Sequence, residues 1–135
     1  MKAANFMLSM SPDIFESDLS YPSNTIMKVM VESGGFSANA TMDIDVRELA
    51  RFAFDLTKIY ETLSGEARIE EPYGMHMYIL FVGNGRVHIA VKGYFHKGNR
   101  VGNEQVLEFE NDIDQTCLKE FGCDLFSAYG KYMNQ

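Results

Sequence analysis

The sequence predicts an α+β fold. It reads as a mainly antiparallel sheet of five to six strands, ordered hairpin, helix, meander, C-terminal helix, with two helices packed on one face. Three observations carry this. Phe36, Ala38, Ala40, Met42 and Ile44 alternate with Ser37, Asn39, Thr41, Asp43 and Asp45, the period-two pattern of a strand with one buried and one wet face. The period then changes: Leu49, Phe52, Ala53, Leu56, Ile59, Tyr60 and Leu63 recur at three and four, one stripe of an amphipathic helix. Beyond the helix, apolar segments are joined by connections too short for crossovers, which favours antiparallel neighbours.

The chain has 135 residues, the size of a single domain spanning 1–135. Residues 1–24 read as an irregular N-terminal segment: Phe6-Met7-Leu8 suggests a short strand, but Pro12, Ser20, Pro22, Ser23 and Asn24 mark turns. The core is expected over 25–129. Thr25 to Glu32 is β-rich and turns at Ser33-Gly34-Gly35 into the alternating strand. Asp45 is positioned as the N-cap of the first helix, with Glu48 three residues later and an Ile44–Leu49 hydrophobic staple. Gly65 is expected to close that helix at C′. Ala67 to Glu71, a Pro72-Tyr73-Gly74 turn, a strand Met75 to Val82, a Gly83-Asn84-Gly85 hairpin turn, a strand Arg86 to His96, a loop Gly98 to Asn103 and a strand Gln105 to Glu110 follow. The last helix begins near Asp114, with Leu118, Phe121 and Leu125 inward, and is weakened by Gly122 and Gly130.

Lys and Arg number 12 against 19 Asp and Glu, a net charge of −7. Such acidity argues against a nucleic-acid partner, whose phosphates are met by Lys and Arg, and is compatible with a basic protein partner or with solubility alone. Met1 to Met10 lacks a signal-peptide pattern, and no run approaches a membrane span of about 20 apolar residues. Cytoplasm is the expected compartment, with no membrane partner. Cys117 and Cys123, six apart in a helix, stand about 9 Å apart along its axis, beyond disulfide reach of about 7 Å, so both read as free thiols.

No catalytic constellation emerges, and no cofactor or metal is expected. Cys117 at a helix start reads as a small half-buried residue. His76 and His88 lie on neighbouring strands, yet zinc wants three or four ligands at recognisable spacing. Glu70 and Glu71, adjacent on a strand, point to opposite faces and do not converge. The glycine clusters precede strands, unlike a phosphate-binding loop. Asp43-Ile44-Asp45 and Asp112-Ile113-Asp114 echo one another, and a cap-and-staple device used twice explains this better than an acidic metal site.

One feature exceeds ordinary packing. The strand Met75 to Val82 is apolar on both faces, while two helices cover only one. Tyr78, Leu80, Val82, Ala90 and Tyr94 therefore face either the N-terminal segment, with its Phe6, Leu8, Ile14 and Phe15, or a partner. The candidate partner-binding residues are Asp43, Glu70, Glu71, Tyr78, Leu80, His88, Tyr94, Glu108 and Glu110.

Ser33-Gly34-Gly35-Phe36-Ser37, Leu63-Ser64-Gly65-Glu66-Ala67, Glu71-Pro72-Tyr73-Gly74 and Asp112-Ile113-Asp114-Gln115-Thr116-x-Leu118 (just after Leu107-Glu108-Phe109-Glu110) occur in an order that resembles the WapI-like immunity proteins. These are small bacterial partners of polymorphic contact-dependent toxins, and the resemblance covers roughly residues 29 to 126. It implies a non-enzymatic protein that binds and neutralises a cognate toxin domain, often a nuclease, in the cytoplasm. Without it, the residues also allow a structural or regulatory interaction module, for instance one that pairs with a second copy through the open sheet face. A third reading is a small metal- or ligand-binding enzyme using His76, His88 and nearby acids.

Overall fold

The computed structural model describes residues 1–72, 77–85, 88–98 and 104–135. Two four-stranded antiparallel sheets replace the single sheet of five to six strands. Sheet A runs β1 (Lys2–Ala3), β2 (Phe6–Ile14), β3 (Thr25–Ser33) and β4 (Phe36–Ile44); sheet B runs β5 (Ser64–Glu70), β6 (Tyr78–Asn84), β7 (His88–Gly98) and β8 (Glu104–Asp114). Helix α1 (Val46–Thr62) links the two meanders and α2 (Gln115–Tyr129) follows β8. The α+β class, the antiparallel pairing and the two helices agree with the sequence reading, and the strand count does not.

The difference starts at the N-terminus. The segment expected to be irregular contains β2, paired with β3 from Phe6↔Ser33 to Ile14↔Thr25. Pro12 lies inside it. β1 covers only Phe6 and Met7, so at Pro12 the strand is an edge, where a missing N–H is tolerated. Between β3 and β4 the turn is as expected: Ser33 pairs with Phe36, and Gly34 and Gly35 both have positive φ, 56° and 89°, as a type I′ hairpin turn requires. Phe36, expected inward, is 69% exposed because it sits at the hairpin end, beyond the core.

Asp45 caps α1 through its carboxylate, which accepts from the Arg47 amide at 2.9 Å. Burial alone would raise the Asp45 pKa, but hydrogen bonds from Arg47 and Asn24 outweigh it and hold the carboxyl below its usual range. Asn24, fully buried, accepts from the Val46 amide and donates to Asp45, while the Arg47 guanidinium also reaches Leu19 O at 2.7 Å. This polar knot ties the loop after β2 to the start of the helix. The helix ends earlier than expected: Leu63 is its C-cap, left-handed at φ 58° and donating to Ile59 O, while Gly65, also at positive φ (101°), already lies in β5. The Leu63 carbonyl passes over Gly83, where a Cβ would lie 2.9 Å from Leu63 backbone atoms. Gly83 and Asn84 therefore belong to β6 and not to the turn; Arg86 and Val87, expected to open the next strand, lie outside the described residues, as do Tyr73 to His76 and Asn99 to Asn103.

One hydrophobic core joins both sheets and both helices. On the inner face of sheet B, Phe81 meets Phe52 of α1 (5.9 Å between ring centroids) and Phe121 of α2 (6.2 Å). Further along that face, Phe109 meets Phe6 of sheet A at 5.5 Å, and Asn111 donates to Ser33 at 2.8 Å. The helices and sheet A thus share the inner face of sheet B. Gly122 has a packing reason: a Cβ there would lie 3.2 Å from Leu56, so it permits the close approach of α2 to α1. Among the described residues no helix is long and apolar enough to cross a membrane.

Candidate functional site

Strand pairing turns the outer face of sheet B into a lattice of rows. Glu70 pairs with Tyr78, Tyr78 with Tyr94, and Tyr94 with Glu108. The next row is Arg68, Leu80, Lys92 and Glu110; the third is Glu66, Val82, Ala90 and Asp112. Side chains two residues apart on a strand share a face, so all three rows project together, away from the helices.

The columns differ in chemistry. The two central strands present a half-buried strip of Tyr78, Leu80, Val82, Ala90 and Tyr94, interrupted by Lys92. The outer strands contribute exposed Glu66 and Glu70 on one side and Glu108, Glu110 and Asp112 on the other. Tyr78 and Tyr94 stack at 6.4 Å with planes 13° apart, and the Arg68 guanidinium lies 4.3 Å over the Tyr78 ring. Arg68 also pairs with Glu70 at 3.0 Å, and Lys92 with Glu110 at 3.7 Å. These half-exposed pairs contribute at most about 1 kcal/mol each to stability. They do neutralise both cations of the lattice locally, which leaves the face acidic.

The N-terminal segment does not cover this face. Phe6 and Leu8 are buried in the core from sheet A, and Phe15 is 55% exposed in the loop after β2. Of the candidate contact residues, Glu70, Tyr78, Leu80, His88, Tyr94, Glu108 and Glu110 share the outer face of sheet B, with His88 opposite Asp114 at its end. Asp43 and Glu71 do not join them. They are electrostatic neighbours where β4 and β5 end: burial raises the Glu71 pKa, Asp43 raises it further, and a hydrogen bond from the Asp43 amide partly offsets both. Arg68, Lys92, Glu66 and Asp112 were missed as site residues. The alternation of Glu66, Arg68 and Glu70 with buried Ala67 and Ile69 is the signal that places two of them.

Asp45 and Asp114 are each engaged with the start of their own helix; Asp114 accepts from the Cys117 amide at 2.8 Å, which with further hydrogen bonds lowers its pKa. Asp43 and Asp112 lie on different sheets. The Cys117 thiol is pushed up, first by burial and then by Asp114, the opposite of an activated nucleophile. His76 lies outside the described residues, so its pairing with His88 is not described. Among the described residues no group of three or more His, Cys, Asp or Glu is placed to share a metal ion. A separate concavity of about 540 Å³ lies against Ser9, Ser11, Lys28, Met30, Asn39 and Thr41, with Met77 and His96 at its side.

The family model of the Immunity protein WapI-like family matches residues 9–133. Neither the curated proteins nor the solved structures contain a significant match.

Proposed function

The chain belongs to the WapI-like immunity protein family, and we propose that it acts without catalysis, in the cytoplasm, by binding a cognate toxin domain through the outer face of sheet B. The toxin domain is basic and of the nuclease kind. The observation that carries this reading is the lattice itself, a half-buried aromatic and aliphatic strip between two acidic columns. An apolar centre with a charged rim is the anatomy of a protein interface, and stacked tyrosines are the side chains that dominate binding energy when a partner dries them. The net charge of −7 speeds encounter with a basic partner and repels nucleic acid. A second copy of the chain is a poorer occupant, because it brings its own acidic columns to the same face.

The test is co-expression with a cognate toxin domain, followed by purification of the complex. The expected result is protected growth and a stoichiometric complex that Tyr78→Ala/Tyr94→Ala weakens without unfolding the chain. Full protection by a variant carrying that pair together with Glu108→Lys and Glu110→Lys would remove this face from the function.

A further inference from the structure

Strand β6 is apolar on both sides. Ile79 and Phe81 are fully buried in the core, while Tyr78, Leu80 and Val82 stand half-buried on the other face. Strands with this pattern ordinarily lie in sheets covered on both sides. Here α1, α2 and sheet A cover one side, and no described element covers the other.

We propose that a basic amphipathic helix of the partner supplies the missing layer, lying along β6 and β7 between the acidic columns; this rests on the reading that the partner docks on this face. Dimensions support a helix. From Tyr78 to Val82 the strip runs four residues, about 14 Å, and three strand spacings separate the β5 and β8 columns, also about 14 Å. A helix with its side chains is about 10–12 Å across, so it seats on the strip and leaves its flanks beside the carboxylates. An added strand does not fit, because the apolar residues occupy the two central strands and β-augmentation uses a sheet edge.

Charge sets the partner's composition and its orientation. Glu108, Glu110 and Asp112 form an unbroken acidic column on β8, whereas on β5 Arg68 separates Glu66 from Glu70. The helix flank beside β8 therefore carries the denser Lys and Arg. Its apolar stripe, at the i, i+3, i+4, i+7 spacing, meets Leu80 and the stacked tyrosines. Lys92, drawn toward Glu110, lays its aliphatic stem on the strip.

The test uses two synthetic peptides of about 14 residues, four helical turns. One carries a leucine stripe with Lys and Arg on both flanks; the other has the same charge with its helix broken by two central prolines. Each is titrated into the folded chain and followed by amide and methyl chemical shifts. The expected result is displacement of Leu80, Val82, Ala90 and their row neighbours by the helical peptide, with affinity at least about tenfold above that of the broken one and reduced by Glu108→Lys/Asp112→Lys. Equal affinity of the two peptides, or shifts centred elsewhere, overturns the proposal. Failure of the helix is distinguishable from failure of the toxin-binding reading. A chain that ignores the helical peptide but loses toxin protection on Tyr78→Ala/Tyr94→Ala keeps its docking face and loses only the helix. A chain that binds the peptide here yet protects fully after the fourfold substitution keeps the helix site and loses the toxin.

Discussion

The outer faces of the two sheets share strand geometry and differ in what they present. On sheet A the rows read Met7, Glu32, Ser37; Ser9, Met30, Asn39; Ser11, Lys28, Thr41; and Asp13, Ile26, Asp43. Small hydroxyl and amide side chains mix with charged ones there, and the larger apolar residues, Met7, Met30 and Ile26, fall in three different rows, Met30 and Ile26 exposed at 44% and 37%. Scattered apolar residues of that kind are normal on a soluble surface. On sheet B the apolar residues adjoin one another across two strands, stack, and are flanked by carboxylates. Both faces are free of the helices, so exposure alone does not mark the docking face. Contiguity does.

The largest effect separates the two sides of one strand. Phe81→Ala, which empties a site between Phe52 and Phe121, should cost about 3–5 kcal/mol in urea unfolding. Tyr78→Ala on the opposite side of β6 should cost far less stability. Its effect belongs to binding, where loss of an aromatic anchor costs about 2 kcal/mol or more in toxin affinity. A comparable stability loss at both positions would mean that Tyr78 serves the fold. Removing the helix cap, Asp45→Ala, should cost about 1 kcal/mol of stability and leave toxin affinity unchanged.

The same carboxylate gives a pH dependence with a definite sign. Hydrogen bonds lower the Asp45 pKa in the folded chain, so its contribution is complete above the ordinary carboxylate range and is lost as pH falls through the folded value. Asp45→Asn, which retains a capping side chain, should flatten the acid limb of the stability profile. A limb of unchanged steepness would place its origin elsewhere. The smallest effect is expected on sheet A, where Ser9→Ala and Thr41→Ala should each stay within about 0.5 kcal/mol in stability and leave binding unaltered.

Local devices were legible in the sequence because they depend on neighbours. The Gly34-Gly35 turn, the Asp45 and Asp114 caps, the stripe of α1 and the two-faced character of β6 follow from spacing alone. What stayed hidden depends on distant pairing. Nothing near Pro12 reveals that it lies on an edge, so β2 looked like loop. Leu63 takes the left-handed turn ahead of Gly65, and its backbone crosses Gly83, twenty residues away. The site was half legible for the same reason. Alternation identified the apolar strip, but the rows joining Glu66, Arg68 and Glu70 to it through β6 and β7 to β8 require the register.

The central claim is that binding resides on sheet B and not on sheet A. It is tested most directly by the affinity of the toxin domain for two variants with equal charge change. One is Glu66→Lys/Glu108→Lys/Asp112→Lys, on the outer face of sheet B; the other is Asp13→Lys/Glu32→Lys/Asp43→Lys, on that of sheet A. Titration calorimetry at low salt should show a loss of about a hundredfold or more for the first and only the modest loss expected from net charge for the second. Equal losses in the two variants, or the larger loss on sheet A, would contradict the account.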